Sequence, residues 1–88
     1  MNRREHLLDI LGEECGEVHK VASKIMRFAY DEKKRIWLQA EYNEVLAMIE
    51  MLADEGIVVY RNEELIQAKK DKVEKFLLES KALGTLDE

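Results

Sequence analysis

The stretch WLQAEYNEVLAMIEMLA, from Trp37 to Ala53, decides the fold of this 88-residue chain. Its apolar side chains return at intervals of three and four residues, which is the period of an α-helix. They cover more than half of the helix surface, and one neighbouring helix needs a narrower face than that. The sequence therefore predicts an obligate oligomer, a homodimer or a homotetramer, in which a second chain covers the remainder. The apolar set comprises Trp37, Leu38, Tyr42, Val45, Leu46, Met48, Ile49, Met51, Leu52 and Ala53.

Two further helical patterns flank this stretch, and short breaks separate the three. We predict helices from about Arg3 to Ala29, from Lys33 to Glu55 and from Asn62 to Leu83. The expected fold is all-α, with a single domain over residues 1–88. Its three main antiparallel helices are expected to assemble, through an oligomer, into a four-helix-bundle-type core.

The ends of the predicted helices carry recognisable capping residues. Asn62 is a favourable N-cap for the third helix, and Gly84 is a favourable left-handed C-cap. Leu86 is placed to fold back on the end of that helix. The link from Gly56 to Tyr60 is interpreted as an apolar loop tucked under the bundle, with a short strand as the alternative.

Composition excludes several other classes of protein. The chain has no proline and four glycines, which disfavours a turn-rich β-sandwich or barrel. Its net charge is −5 and it has no long basic run, so we expect no nucleic-acid partner. No apolar stretch is long enough for a membrane span, and the first six residues lack the apolar block of a signal peptide. Cys15 is the one cysteine, so there is no internal disulfide, which favours a reducing, cytoplasmic location.

Four glutamates occupy positions where an amphipathic helix should be apolar. Helical spacing places Glu14 inside the apolar arc of the first helix and Glu17 at its edge, one turn away. In the second helix, Glu41 falls near the middle of the apolar arc and Glu44 at its margin. Glu13 points further towards solvent. Each i, i+3 pair therefore stacks on one side of its helix.

Two such pairs on antiparallel neighbours are expected to converge on a small volume. Buried carboxylates without partners are unfavourable, and like charges at short range repel unless a cation neutralises them. Four hard oxygen donors without a soft ligand suit Mg²⁺, with Mn²⁺ as the other option. The structural alternative is that the glutamates reach arginine or lysine partners at an oligomer interface.

Basic and aromatic residues near these carboxylates are candidates for substrate contacts. Lys69 projects into the apolar arc of the third helix and Lys72 lies at its edge, where lysines beside a bound metal suit phosphate oxygens. Lys24 and Arg27 follow the acidic residues along the first helix and are candidates for holding a triphosphate. For these four cations the alternative is a solvated side chain. Trp37 is a candidate for stacking on a base, with core or interface packing as the alternative.

The other reactive side chains of the sequence do not form a recognisable metal-binding or catalytic motif. His6 and His19 do not lie three residues after either glutamate pair, so the Glu-x-x-His element of di-iron bundles is absent. Cys15 lies on the apolar arc without an adjacent base, and we expect it to pack as a small hydrophobic residue. The sequence contains no glycine-rich phosphate loop.

Taken in order, the two acidic segments resemble a known superfamily. LGEECGEV, residues 11–18, is similar to the Glu-Glu-x-x-Glu motif of the all-α nucleoside triphosphate pyrophosphatases, which include MazG-like proteins, dimeric dUTPases and phosphoribosyl-ATP pyrophosphohydrolases. EYNEVL, residues 41–46, resembles their second motif, Glu-x-x-Asp followed by apolar residues. Residues 22–28 and 69–76 look most like small MazG-like proteins, including phage-encoded ones. The resemblance spans nearly the whole chain, although Glu44 stands where the family usually has aspartate.

The resemblance implies a Mg²⁺-dependent nucleotide pyrophosphohydrolase, which converts an NTP or dNTP and water to the monophosphate and pyrophosphate. It implies four Mg²⁺ ligands: Glu14, Glu17, Glu41 and Glu44. Glu13 or Glu17 is the expected acceptor of the proton from the attacking water. The expected substrate-binding residues are Lys24, Arg27, Trp37, Lys69 and Lys72. The alternatives are a catalytically weak nucleotide sensor of the same fold and a structural helical oligomer or adaptor.

Overall fold

The computed structural model describes residues 1–85, and these form three α-helices. Helix α1 spans Arg3–Phe28, α2 spans Glu32–Asp54 and α3 spans Glu63–Ala82. Residues 1–85 contain no strand, which confirms the all-α prediction. Each predicted helix agrees with the structure to within one residue at both ends.

Each helix begins at a polar N-cap residue in extended conformation. The cap side chain accepts a hydrogen bond from the backbone N–H three residues later, at distances of 2.8, 2.8 and 3.0 Å for α1, α2 and α3. These bonds satisfy donors that the first turn of a helix otherwise leaves unpaired. The three caps are Asn2, Asp31 and Asn62, of which Asn62 was predicted.

Helices α2 and α3 both end at a glycine in the left-handed region, where a Cβ atom is disfavoured. Gly56 has φ of 89° and Gly84 has φ of 77°, which confirms the predicted cap at Gly84. In each case the residue after the glycine donates to a carbonyl five residues back, as the N–H of Ile57 does to Leu52 at 3.0 Å. Leu86, predicted to fold back on α3, lies outside the described residues.

The link after α2 is an exposed loop for most of its length. Only Ile57 packs against the core, where it contacts the cluster that Leu52 belongs to. Val58, Val59 and Tyr60 are exposed, the last of them by 85%. The prediction that this loop is tucked under the bundle is therefore wrong beyond Ile57, because no helix within residues 1–85 lies over it.

Helices α1 and α2 form an antiparallel hairpin, which we call the α1–α2 hairpin. Leu7 near the start of α1 packs against Met48 and Leu52 near the end of α2. At the other end, the Lys24 ammonium lies over the Trp37 ring, 5.4 Å from its centroid. Only three residues connect the two helices, and consecutive helices joined by so short a loop pack against each other antiparallel.

Two arginines at the start of α1 bind the residue that follows α2, at the end of the hairpin opposite its connecting turn. The Arg3 side chain pairs with the Glu55 carboxylate at 2.5 Å, and Arg4 donates to the Glu55 backbone carbonyl at 2.8 Å. A cation is favourable at this position because the last carbonyls of a helix carry partial negative charge. These contacts tie the start of α1 to the end of α2.

Helix α3 packs against neither α1 nor α2 within the described chain. The buried residues of the described chain are Leu7, Val21, Met48 and Leu52, all of them in the hairpin. The Cα radius of gyration is 16.6 Å, whereas a compact domain of this length has about 12 Å. The predicted antiparallel arrangement of three helices is therefore met by α1 and α2 only, because the link carries α3 away from the hairpin.

Candidate metal centre

Three of the four predicted carboxylate ligands meet in the seam between α1 and α2. Oxygens of Glu14, Glu41 and Glu44 all lie within 4.8 Å of one another. We call this group the glutamate triad. Glu14 and Glu41 are half-buried, and Glu44 is exposed.

Helical repeat explains why these positions meet. Glu14 lies seven residues, or two turns, from the buried side chains of Leu7 and Val21, so all three share one face of α1. Glu41 lies seven residues before the buried Met48 on α2 and shares its face in the same way. The two carboxylates therefore occupy core positions of the hairpin rather than its surface.

Two oxygens of the triad are buried without a hydrogen-bond partner. They are Oε2 of Glu14 and Oε2 of Glu41. Buried polar groups are nearly always paired, so each of these oxygens requires an explanation. Neither oxygen has a basic side chain within ion-pair distance among residues 1–85, so arginine or lysine partners, the alternative at an oligomer interface, would have to come from a second chain.

The surroundings of both carboxyl groups favour their protonated form. Burial raises the pKa of Glu14, and the adjacent Glu44 carboxyl and the charges of Glu17 and Glu13 raise it further. The adjacent Glu44 carboxyl contributes most to raising the pKa of Glu41, followed by burial and the charges of Glu14 and Glu17. A divalent cation among these oxygens would reverse the effect, because positive charge favours ionised carboxylates.

Glu17 does not join the triad, although it adds to the repulsion on Glu14 and Glu41. Its carboxylate pairs with Lys20, one turn further along α1, at 3.3 Å. The i, i+3 spacing of Glu17 and Lys20 is a simple sequence signal for such a pair. Glu13 is exposed, as expected from its position on α1.

Two lysines share the ring of Trp37. The ammonium of Lys24 lies 5.4 Å from the ring centroid and that of Lys33 lies 5.2 Å from it, both within the range of cation–π contacts. Trp37 lies four residues before Glu41 on α2, so the ring and the triad belong to the same side of this helix. Lys33 was missed because it lies outside the apolar pattern. The predicted residue Arg27 contacts the Phe28 ring instead, at 5.3 Å.

The structure does not bring Lys69 and Lys72 to the triad. Both are exposed residues of α3, which does not contact the hairpin. A role for them beside these carboxylates requires the α3 helix of another chain.

An apolar groove of about 680 Å³ runs along the hairpin beside the triad. Its α1 wall includes Cys15, next to Glu14 in the chain, and its α2 wall includes Tyr42, next to Glu41. Cys15 is exposed, so the prediction that it packs as a core residue is wrong for the single chain. The wide apolar arc of α2 predicts that part of this helix is left uncovered by α1. It does not predict that the uncovered surface is a groove. The lining residues are Cys15, Val18, Arg35, Leu38, Gln39, Tyr42 and Val45.

The chemistry of the donor set fits a hard divalent cation. The triad offers only carboxylate oxygens, which suit Mg²⁺ or Mn²⁺ better than zinc or copper.

Comparisons of the chain with protein-family models, curated proteins and solved structures return no match. No helix within residues 1–85 has both the length and the apolar character needed to cross a membrane.

Proposed function

We propose that this chain is a Mg²⁺-dependent nucleoside triphosphate pyrophosphohydrolase of the MazG-like kind. It would convert an NTP or dNTP and water to the NMP or dNMP and pyrophosphate. The supporting observation is the convergence of three glutamates from two helices, with two buried oxygens that have no hydrogen-bond partner. This arrangement is unfavourable without a cation. The resemblance of both acidic segments to MazG-like motifs suggests the reaction.

In the proposed reaction, the carboxylates of Glu14, Glu41 and Glu44 would hold the cation. When bound, Mg²⁺, or Mn²⁺ in its place, supplies positive charge that neutralises phosphate oxygens and lowers the pKa of water. Glu13 or Glu17 takes the proton of the attacking water. The water oxygen bonds to the α-phosphorus, and the bond from this phosphorus to the leaving pyrophosphate breaks. Glu17 would be the fourth ligand, and its release from Lys20 would cost little because exposed ion pairs are weak.

The substrate contacts follow from the positions of the basic residues. Lys24 and Arg27 would hold phosphate oxygens, and Trp37 would stack on the base after Lys24 moves from its ring to the phosphates. Lys69 and Lys72 would come from a second chain, because α3 of the same chain lies away from the triad. The active unit is proposed to be a homodimer or homotetramer whose helices complete a four-helix-bundle-type core. Its proposed location is the cytoplasm.

Two observations favour a nucleotide sensor as the second candidate. Glu44 is one methylene longer than the aspartate of the family motif, which changes where its oxygens can reach. Glu17 is engaged by Lys20 rather than by the triad. A chain that binds nucleotide and metal but hydrolyses slowly is consistent with both.

The test is pyrophosphate release from a panel of canonical and modified NTPs and dNTPs, with and without Mg²⁺ or Mn²⁺. We expect metal-dependent release that is abolished in Glu14→Gln and retained in Glu50→Gln. Glu50 is the matched control because it is an exposed glutamate outside the triad. Release that needs no metal, or that survives in Glu14→Gln, would contradict the proposal. No release, together with thermal stabilisation by nucleotide and Mg²⁺, would favour the sensor.

A further inference from the structure

We propose that the apolar groove of the α1–α2 hairpin binds the α3 helix of a second copy of this chain, so that two copies exchange their α3 helices. This proposal concerns an interaction surface, and it does not depend on pyrophosphohydrolase activity. Three observations support it: the uncovered apolar side of α3, the large surface area of the single chain, and the charges on the two partners.

Helix α3 has an apolar stripe that neither α1 nor α2 covers. Leu65 and Phe76 are 70% and 64% exposed, respectively. The stripe extends over about 18 Å, whereas the α2 wall of the groove from Arg35 to Val45 extends over about 15 Å, so α3 is long enough to cover the groove. The stripe comprises Leu65, Ile66, Val73, Phe76 and Leu77.

The surface area of the chain indicates a partner of matching size. The described chain exposes 7410 Å², whereas a folded monomer of its mass exposes about 5,400 Å². A standard interface buries about 800 Å² on each partner, and obligate homodimers bury more. In a two-fold dimer, the same contact between groove and α3 occurs twice. Two apolar surfaces of each chain, its groove and its stripe, are then buried by the partner. Burial of both accounts for an excess of exposed surface area that is larger than one standard interface.

The triad beside the groove carries the opposite charge to the middle of α3, and Arg35, the one charged residue of the groove lining, is paired with Glu32. The segment from Lys69 to Lys75 contains four lysines and two acidic residues, and Lys69 lies within the apolar stripe. The groove adjoins the triad, because Cys15 and Tyr42 in its walls are chain neighbours of Glu14 and Glu41. An exchanged α3 would therefore bring lysine towards carboxylates that have no cationic partner in the single chain. The second copy would in this way contribute a residue to the site.

Two leucines of α3 provide a matched pair for the test. Leu65 belongs to the stripe and Leu78 lies on the opposite side of the helix, yet they are 70% and 68% exposed in the single chain. By sedimentation velocity of the full chain, we expect a dimer whose dissociation constant rises about tenfold or more in Leu65→Gln. We expect no change in Leu78→Gln. Tyr42→Gln, in the groove wall, should weaken the dimer as Leu65→Gln does, and circular dichroism verifies that each variant is helical.

The single cysteine shows whether the groove itself is covered. The thiol of Cys15 lines the groove and is exposed in the single chain. Its reaction with a thiol reagent should be slow in the dimer and accelerate on dilution. Leu65→Gln should accelerate it at a fixed protein concentration, and Leu78→Gln should leave it unchanged.

Four outcomes would overturn the proposal. The first is a monomer at micromolar concentration, whether or not its thiol is protected. The second is a dimer in which Cys15 reacts as fast as in an unfolded chain. The third is a dimer in which Leu65→Gln and Leu78→Gln behave alike, since α3 then lies elsewhere. The fourth is protection of Cys15 only after nucleotide and Mg²⁺ are added, which would make the groove a ligand pocket.

Discussion

The two helices of the α1–α2 hairpin, of 26 and 23 residues, and helix α3, of 20 residues, are all amphipathic, but the hairpin is packed and α3 is not. All the buried residues of the described chain and the glutamate triad lie in the hairpin, whereas α3 buries none of its side chains. The hairpin has a three-residue connection that forces its helices together, while α3 follows an eight-residue link that lets it point away. An amphipathic sequence thus specifies that a helix needs a partner, and the connection determines whether that partner is in the same chain.

The difference has energetic consequences. Most of the stability of a helix in a protein comes from packing of its amphipathic face, and this applies to the 20-residue helix α3. The hairpin obtains packing from its own core and from the Arg3 and Arg4 contacts with Glu55. Among the described residues, helix α3 has capping interactions but no packing against α1 or α2, so its stability should increase the most on association with a second chain.

The largest contrast between the two regions is expected from a pair of leucine truncations. Leu52 in the hairpin is 2% exposed, and Leu52→Ala should lower the free energy of unfolding by about 2–5 kcal/mol. The same change at Leu78 in α3 should cost less than about 0.5 kcal/mol, because that side chain lies in solvent. Urea denaturation followed by circular dichroism measures both. Equal losses would show that α3 belongs to the same cooperative core on that side.

The next effect concerns metal binding in the hairpin. If the triad binds Mg²⁺, a cation concentration one hundredfold above the dissociation constant should stabilise the chain by about 2.7 kcal/mol. Glu41→Gln should abolish this gain, while raising the stability of the metal-free chain because it removes one of the repelling charges. Thermal melts with and without Mg²⁺ test both signs, with Glu50→Gln as the control. A metal gain that persists in Glu41→Gln would place the cation elsewhere.

A smaller contrast is expected at the two left-handed glycines. Gly56 and Gly84 have similar φ values of 89° and 77°, so alanine is strained by about 1–2 kcal/mol at each. Gly56→Ala should lower hairpin stability by this amount, because the turn places Ile57 on the core. Gly84→Ala should only fray the end of α3. Hydrogen exchange of individual amides separates global from local opening, and global destabilisation by Gly84→Ala would disprove the distinction.

The smallest expected effect is a dependence on pH that is confined to the hairpin. The pKa values of Glu14 and Glu41 are raised above 4.5 in the folded chain, so the folded state holds these protons more tightly than the unfolded state. The metal-free chain should therefore lose stability as pH rises from about 4.5 through the raised pKa values. Asp31 and Glu32 act in the opposite direction, because ion pairs and hydrogen bonds lower their pKa.

Denaturation of the metal-free chain across this pH range, beside the Glu14→Gln/Glu41→Gln variant, isolates the two carboxyl groups. The variant should lack the loss of stability above pH 4.5. If it shows the same loss as the wild type, other groups are responsible.

Much of the fold follows from local sequence signals. Apolar periodicity and the Asn62 and Gly84 caps placed each helix end within one residue, because capping depends on neighbours in the chain. Glu14 and Glu41 could be predicted as a pair since helical repeat puts both in the seam. The position of Glu17 could not, because its choice between Lys20 and the triad depends on side-chain rotamers. The position of α3 could not either, since an exposed link does not determine direction.

The short connection between α1 and α2 also bears on how the protein folds. Contacts within the hairpin join residues through a three-residue turn, and such local topologies form within microseconds to milliseconds. Exchange of α3 is a bimolecular event, so its rate must rise with protein concentration. Refolding should then show a fast phase that is the same at every concentration and a slower phase that is second order. The hairpin, with its carboxylates already gathered, would be formed before two chains meet.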